Sequence, residues 1–99
     1  MEIEQVPASE WKNWIEKNNG ILLDVREPHE WALGTLPGAV RISTRSLLQE
    51  LDSLDKGADI LVVCRSGNRS QQVAAFMNMS GFKSVANMAG GMKALGMQP

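Results

Sequence analysis

Short apolar runs alternate along this chain of 99 residues with segments whose apolar residues recur at helical spacing. Continuous apolar runs are typical of strands that are covered by helices on both faces of a parallel sheet. The pattern therefore predicts an α/β fold with a mostly parallel sheet flanked by helices on both faces. The predicted strands are residues 3–6, 21–25, 39–42, 59–63 and 83–87.

Helical segments separate these strands, and turn-forming residues mark several of their ends. Ser9 is expected to cap the first helix and Gly20 to end it, while Gly81 is expected to end the longest one. Pro28 suits the first turn of a short helix. The predicted helices are residues 9–19, 27–33, 45–54 and 69–81, with a terminal turn or short helix over 90–99.

Composition narrows the class of protein. The length suits one domain over residues 1–99, and 43% hydrophobic with 21% charged residues is typical of a folded, soluble chain. A formal net charge of −1 gives no reason to expect nucleic-acid or membrane partners. A single cysteine excludes an internal disulfide, and with one histidine we expect no metal site and no cofactor. We expect a cytoplasmic monomer, where a free thiol stays reduced.

That cysteine, Cys64, opens the stretch "CRSGNRS" between a predicted strand and a predicted helix. Ligands of parallel sheets bind beyond the carboxyl ends of the strands, which is where Cys64 lies. Gly67 permits a tight turn, in which the amides of residues 65–69 can converge on one centre at the start of a helix. No acid follows Asp59, so we expect a thiol whose pKa lies below that of a free cysteine.

A buried structural cysteine is the ordinary alternative for a lone thiol. The strand-to-helix turn, the glycine and the cations Arg65 and Arg69 favour a reactive cysteine instead.

Three motifs resemble the single-domain rhodaneses, the thiosulfate sulfurtransferase family. They are "DVREPHEWALGTLPGAVRIS" (24–43), "VVCRSGNRS" (62–70) and "MAGGMKAL" (88–95), and the similarity covers nearly the whole chain. The resemblance implies a five-stranded sheet and a cysteine that takes a sulfane sulfur from a donor and passes it to a thiophilic acceptor. Thr35 replaces the histidine that is usual in the family, and Leu95 replaces a common tryptophan, so acceptor preference is open.

The resemblance and the loop chemistry together assign the site. Cys64 is the predicted nucleophile, and Asp24 and Arg26 are carried over from the family as loop-supporting residues. The predicted partners are an anionic donor such as thiosulfate and a thiol, cyanide or protein acceptor. Arg69 is also expected to hold the loop by pairing with Asp24 or Glu30. The predicted substrate-binding residues are Arg65, Ser66, Gly67, Asn68 and Arg69.

Two other functions compete with sulfur transfer. A rhodanese-like fold can serve as a non-catalytic binding or regulatory module, although the intact loop with Cys64 argues against that. Related cysteine phosphatases place five residues between cysteine and arginine, whereas four residues separate Cys64 from Arg69. Val63 also stands where those phosphatases have a histidine.

Overall fold

The strands form one twisted sheet in a computed structural model that describes residues 3–97. Within those residues the sheet has five strands in the order β1-β5-β4-β2-β3, and every neighbouring pair is parallel. The predicted α/β class is therefore confirmed, with a sheet that is parallel throughout. The strands are β1 (Glu4–Pro7), β2 (Ile21–Asp24), β3 (Val40–Arg41), β4 (Asp59–Val63) and β5 (Ser84–Ala89).

Helices cover both faces of the sheet, as the sequence predicts. The α-helices are α1 (Trp11–Asn18), α2 (Pro28–Trp31), α3 (Leu47–Glu50), α4 (Asn68–Met79) and α5 (Gly91–Ala94). Leu47 of α3 and Met77 of α4 belong to the apolar cluster on one face. Trp14 of α1 and Met92 of α5 belong to the cluster on the other.

The central strand β4 contributes to both clusters because its side chains alternate between the faces. Ile60 and Val62 point into the first cluster, and Leu61 and Val63 into the second, all of them fully buried. A strand that is apolar on both sides is fixed in the middle of the sheet, and so is the loop that follows it.

Several helix ends differ from the sequence prediction. Ala8–Glu10 forms a 3-10 turn before α1, and no side chain caps either segment, so the predicted cap at Ser9 is wrong. Helix α1 ends at Asn18, and the left-handed residue that terminates it is Asn19, with φ 50°, rather than Gly20. A short polar side chain tolerates that conformation better than most residues.

The predicted helix over residues 45–54 is divided into three short pieces. The α3 helix lies between 3-10 turns at Thr44–Ser46 and Leu51–Ser53, and the predicted strand 39–42 narrows to the two residues of β3. Phe76 of α4 is exposed, whereas Val73, Ala74 and Met77 of the same helix are buried. Residues 98–99 of the predicted terminal turn lie outside the described residues.

The strand order contains a switch point between the adjacent strands β2 and β4. The chain leaves β2 towards β3 and leaves β4 towards β5, so the two connections run in opposite directions from adjacent strands. Ligands of open α/β sheets bind at such a point, beyond the carboxyl ends of the strands. In this chain those ends carry Asp24 and Cys64. No helix among residues 3–97 combines the length and the apolar character needed to cross a membrane.

Candidate active site

The thiol of Cys64 lies at the amino end of α4 and accepts hydrogen bonds from its first turn. The Sγ atom is 3.2 Å from the amide nitrogen of Gly67, and 3.3 Å from both the amide nitrogen and the hydroxyl oxygen of Ser70. The first amides of a helix have no partner within it, so the sulfur supplies an acceptor that the helix would otherwise lack. Cys64 is 0% exposed, so this arrangement is shielded from water.

These donors change the acidity of the thiol. Burial raises the pKa of Cys64, because a thiolate loses hydration there. The Ser70 hydroxyl and the amides of Ser70, Gly67 and Ser66 oppose that effect and outweigh it, so the pKa lies below the ordinary value for cysteine. Direct hydrogen bonds to the sulfur thus favour the anion, as a nucleophile requires.

The start of α5, at the double glycine Gly90–Gly91, hydrogen-bonds the backbone of the Cys64 loop. The amide of Met92 donates to the carbonyl of Cys64 at 3.0 Å, and the amide of Lys93 donates to the carbonyl of Arg65 at 2.8 Å. Gly91 sits against these carbonyls so closely that a Cβ there would lie 2.5 Å from each carbonyl oxygen. Because α5 binds the carbonyls, the loop is free to turn its amides towards the sulfur.

Arg69 pairs with Glu30, which settles the choice between Glu30 and Asp24. Its Nη1 and Nη2 atoms each donate to one carboxylate oxygen at 2.9 Å. The guanidinium hydrogen bond outweighs partial burial and lowers the pKa of Glu30 to about 2. The charge of Arg69 is therefore occupied by a carboxylate on α2, and its guanidinium anchors the start of α4.

Asp24 and Arg26 form a buried ion pair that positions α2. Arg26 is fully buried, and its Nη2 atom lies 2.9 Å from Asp24 Oδ2. The same guanidinium donates to the carbonyls of Gly34, at 2.7 Å, and Glu30, at 3.4 Å. These bonds fix both ends of the turn that presents the Glu30 carboxylate to Arg69. The pair is thereby linked to the loop through Glu30 and Arg69.

The other predicted substrate residues belong to the same loop but differ in exposure and adjoin two different depressions. Arg65, Ser66 and Asn68 are exposed, whereas Gly67 is buried with φ 96°. A polar depression of about 260 Å³ adjoins the loop at Ser66, Gly67 and Asn68. A more apolar groove of about 410 Å³ adjoins it at Arg69 and continues along α3 and α4. Within residues 3–97, no three His, Cys, Asp or Glu side chains come together as metal ligands would.

Two contributors to the site were missed by the sequence reasoning. Ser70 donates its amide to the sulfur, and its hydroxyl lies between the sulfur and the carboxamide of Asn87. Both side chains are buried. The signals were available, since Ser70 stands in the first turn of a helix and Asn87 is a polar residue inside an apolar strand.

The fold and this loop together define a family. The family model described as "Rhodanese-like domain" matches residues 7–98, so the chain belongs to the rhodanese family.

Similar proteins found by sequence and by structure agree with this membership. YtwF of Bacillus subtilis is 39% identical over 95 residues, which are 95% of this chain and 91% of YtwF. The thiosulfate sulfurtransferase GlpE of Pseudomonas paraeruginosa is 33% identical over 86 residues, 87% of this chain and 78% of GlpE. The crystal structure of a rhodanese-like domain protein from Staphylococcus aureus superposes with a TM-score of 0.87 at 30% identity, covering 97% of this chain and 94% of that one. The family resemblance seen in the sequence is confirmed, and a sulfurtransferase role is supported by the relatives' names.

Proposed function

We propose that this protein is a sulfurtransferase that carries a sulfane sulfur on Cys64 as a persulfide. The donor is a small anion such as thiosulfate or a persulfide, and the acceptor is a thiophile such as cyanide, a thiol or a protein. The observation that carries the proposal is the set of donors around the Cys64 sulfur, namely two amides and a hydroxyl at 3.2–3.3 Å.

The proposed reaction has two half-reactions. The Cys64 thiolate attacks the outer sulfur of thiosulfate, a sulfur–sulfur bond forms, and the donor's own sulfur–sulfur bond breaks. Sulfite leaves with the electron pair, and the negative charge comes to rest on the outer persulfide sulfur. An acceptor such as cyanide then attacks that outer sulfur, thiocyanate leaves, and the thiolate is restored. No net oxidant or reductant is consumed.

The hydrogen bonds suit this chemistry because the Cys64 sulfur is an anion both as the nucleophile of the first half-reaction and as the leaving group of the second. The amides of Gly67 and Ser70 are rigid parts of the α4 terminus, so they need no rearrangement when charge develops. The helix dipole adds a positive potential at the same end. Lowering the pKa of Cys64 also raises the fraction of thiolate above that of an ordinary cysteine at the same pH.

The engagement of Arg69 favours sulfur transfer over phosphate chemistry. A phosphate would need the guanidinium to face into the loop, whereas both terminal nitrogens of Arg69 bind Glu30. Of the two predicted donor-binding arginines, Arg65 is the exposed one at the loop. We assign Arg65 to attraction of an anionic donor, and Arg69 to support of the loop. The exposed loop residues Ser66 and Asn68 would line the approach.

Turnover with thiosulfate and cyanide, measured as thiocyanate formed, tests the proposal. A parallel reaction with a protein persulfide as donor separates the two donor classes. Mass spectrometry after incubation with thiosulfate alone should show one added sulfur atom on Cys64. If neither donor loads the sulfur, the chain is a non-catalytic member of its family and the proposal fails.

A further inference from the structure

A line of polar side chains leads away from the Cys64 sulfur into the sheet. The hydroxyl oxygen of Ser70 lies 3.3 Å from the sulfur and also hydrogen-bonds the Asn87 carboxamide oxygen, Oδ1. The Asn87 amide nitrogen, Nδ2, then donates to the Gln5 side-chain oxygen at 2.9 Å. Asn87 is 3% exposed and Gln5 is exposed, so the line runs from buried side chains to the surface of β1. The line joins α4, β5 and β1 behind the loop.

The carboxamide of Asn87 has only one satisfactory orientation. Its Nδ2 atom also faces the carbonyl oxygen of Gly67, 3.3 Å away, which can only accept a hydrogen bond. Gln5 is oriented in turn, because its own amide nitrogen donates to the carbonyl of Ile3 at 3.1 Å. Turning the Asn87 amide over would place its oxygen against two other oxygens. Oδ1 therefore faces Ser70, and Ser70 must be the donor of that bond.

The Ser70 hydroxyl has one hydrogen and two possible acceptors. While the sulfur is a thiol, S–H donates to the Ser70 oxygen and the Ser70 hydrogen goes to Asn87, so every group is satisfied. Once the sulfur is a thiolate, the Ser70 hydroxyl donates preferentially to the sulfur, because a hydrogen bond to an anion is stronger than one to an amide oxygen. That movement leaves Asn87 Oδ1 buried and short of a donor.

We propose that Asn87 is a positioning residue that acts on Cys64 through Ser70. Its carboxamide oxygen accepts the hydrogen bond of the Ser70 hydroxyl while the sulfur is a thiol. When the sulfur ionises, the Ser70 hydroxyl donates to the sulfur instead. Asn87 thus opposes ionisation, and the amides of Gly67 and Ser70 promote it. The proposal rests on the proposed function only in taking Cys64 as the group that ionises.

Charged groups near the sulfur are not altered by a change at Asn87. Arg69 approaches from α4 and is paired with Glu30 of α2, and Asp24 at the end of β2 is paired with Arg26. Arg65, which follows Cys64, and Lys93 of α5 are exposed. Strand β5 carries no charged residue between Ser84 and Ala89. A neutral replacement of Asn87 therefore changes the hydrogen bond without changing the local charge.

Asn87→Leu removes the competing acceptor and tests the proposal. The thiolate is titrated by its ultraviolet absorbance, a clean signal in a chain with one cysteine and no tyrosine. We expect the pKa of Cys64 to fall, so that below that pKa the thiolate fraction rises about two- to twelvefold, the worth of one ordinary hydrogen bond. A merely structural role predicts the opposite sign, because a loosened loop would lose its amide donors to the sulfur. Asn87→Val, a second replacement that suits a strand, should shift the titration in the same direction.

A double-mutant cycle shows whether the effect passes through Ser70. Ser70→Ala should raise the pKa of Cys64, and adding Asn87→Leu to that variant should cause no further change. Asn78→Leu is the matched control, since it removes an amide that bonds the Phe82 carbonyl at the far end of α4. A rise or no change in the Asn87 variants, or an equal fall without Ser70, would overturn the proposal. The titration needs no sulfur donor, so its result is independent of whether the protein transfers sulfur.

Discussion

The Glu30 carboxylate accepts two hydrogen bonds of 2.9 Å from Arg69, a residue 39 positions further along the chain. This contact joins the turn after β2 to the helix that begins behind the nucleophile. Since Arg26 holds the backbone of the same turn, the loop around Cys64 is braced by two successive ion pairs. The stability of the protein and the shape of its site therefore depend on the same carboxylate.

Glu30→Gln should lower the free energy of unfolding at neutral pH. It should also make that free energy depend less on pH in the acidic range. The pKa of Glu30 is lowered to about 2 in the folded state from 4.5, so its stabilisation is present above about 4.5 and is lost as the pH falls towards 2. We expect a loss of about 1–2 kcal/mol at neutral pH, a value reduced for the partial exposure of Arg69. Urea unfolding across the acidic range measures this. The exposed Glu50→Gln should retain the wild-type profile, and an unchanged acid slope in Glu30→Gln would contradict the assignment.

Cys64→Ser should abolish sulfur transfer and leave the fold intact. No second thiol exists to replace Cys64, and a serine hydroxyl is a far weaker nucleophile at neutral pH. A serine hydroxyl can still accept hydrogen bonds from the amides of Gly67 and Ser70, so the thermal midpoint should change little. Thiocyanate formation and circular dichroism provide the two measurements. Transfer at the wild-type rate in the serine variant would show that Cys64 is not the carrier.

Arg65→Ala should raise the KM for thiosulfate and leave kcat and the thermal midpoint close to wild type. An exposed arginine contributes little to stability, whereas one charge-assisted bond to the donor is worth about 1.5 kcal/mol, or about tenfold in KM. Lys83→Ala is the control, because it removes an exposed positive charge just before β5, at the amino ends of the strands and away from the Cys64 loop. Loss of stability with an unaltered KM would instead make Arg65 a structural residue.

Gly91→Ala should damage both stability and sulfur transfer. The added Cβ would meet the carbonyl oxygens of Cys64 and Arg65 at 2.5 Å, so either α5 or the loop must shift. Gly38→Ala is a matched control, because Gly38 also has a positive φ but nothing lies within 4 Å of its added Cβ. The control should lose about 1–2 kcal/mol from backbone strain alone. Equal losses in the two variants would mean that close packing against the loop is unimportant.

The sequence predicts those parts of the site that depend on local order along the chain. Cys64 follows a strand that is apolar throughout, and Gly67 precedes a helix with clear periodicity, so the junction between them was foreseeable. Chain order also places the Cys64 end of β4 at the ligand-binding edge of a parallel sheet. These inferences need no knowledge of distant contacts.

Other parts depend on which elements meet in space, and local patterns do not reveal that. From the sequence, Arg69 could pair with either Glu30 or Asp24. In the structure it pairs with Glu30, and Asp24 is paired with Arg26. Asn87 acquires its role only because β5 lies beside both β4 and β1, which brings it next to Ser70 and Gln5. The helix predicted over residues 45–54 is likewise divided into short pieces, although Leu47 and Leu51 still pack into the core.

The bonds from Met92 and Lys93 to the carbonyls of Cys64 and Arg65 also govern when the site can form during protein synthesis. A nascent chain emerges from its amino end, so the loop leaves the ribosome before the residues that hold it in shape. Until the segment 91–93 has emerged, the carbonyls of Cys64 and Arg65 lack these two partners. All five strands precede Gly91, so the loop gains these two bonds only after the last strand of the sheet has been synthesised.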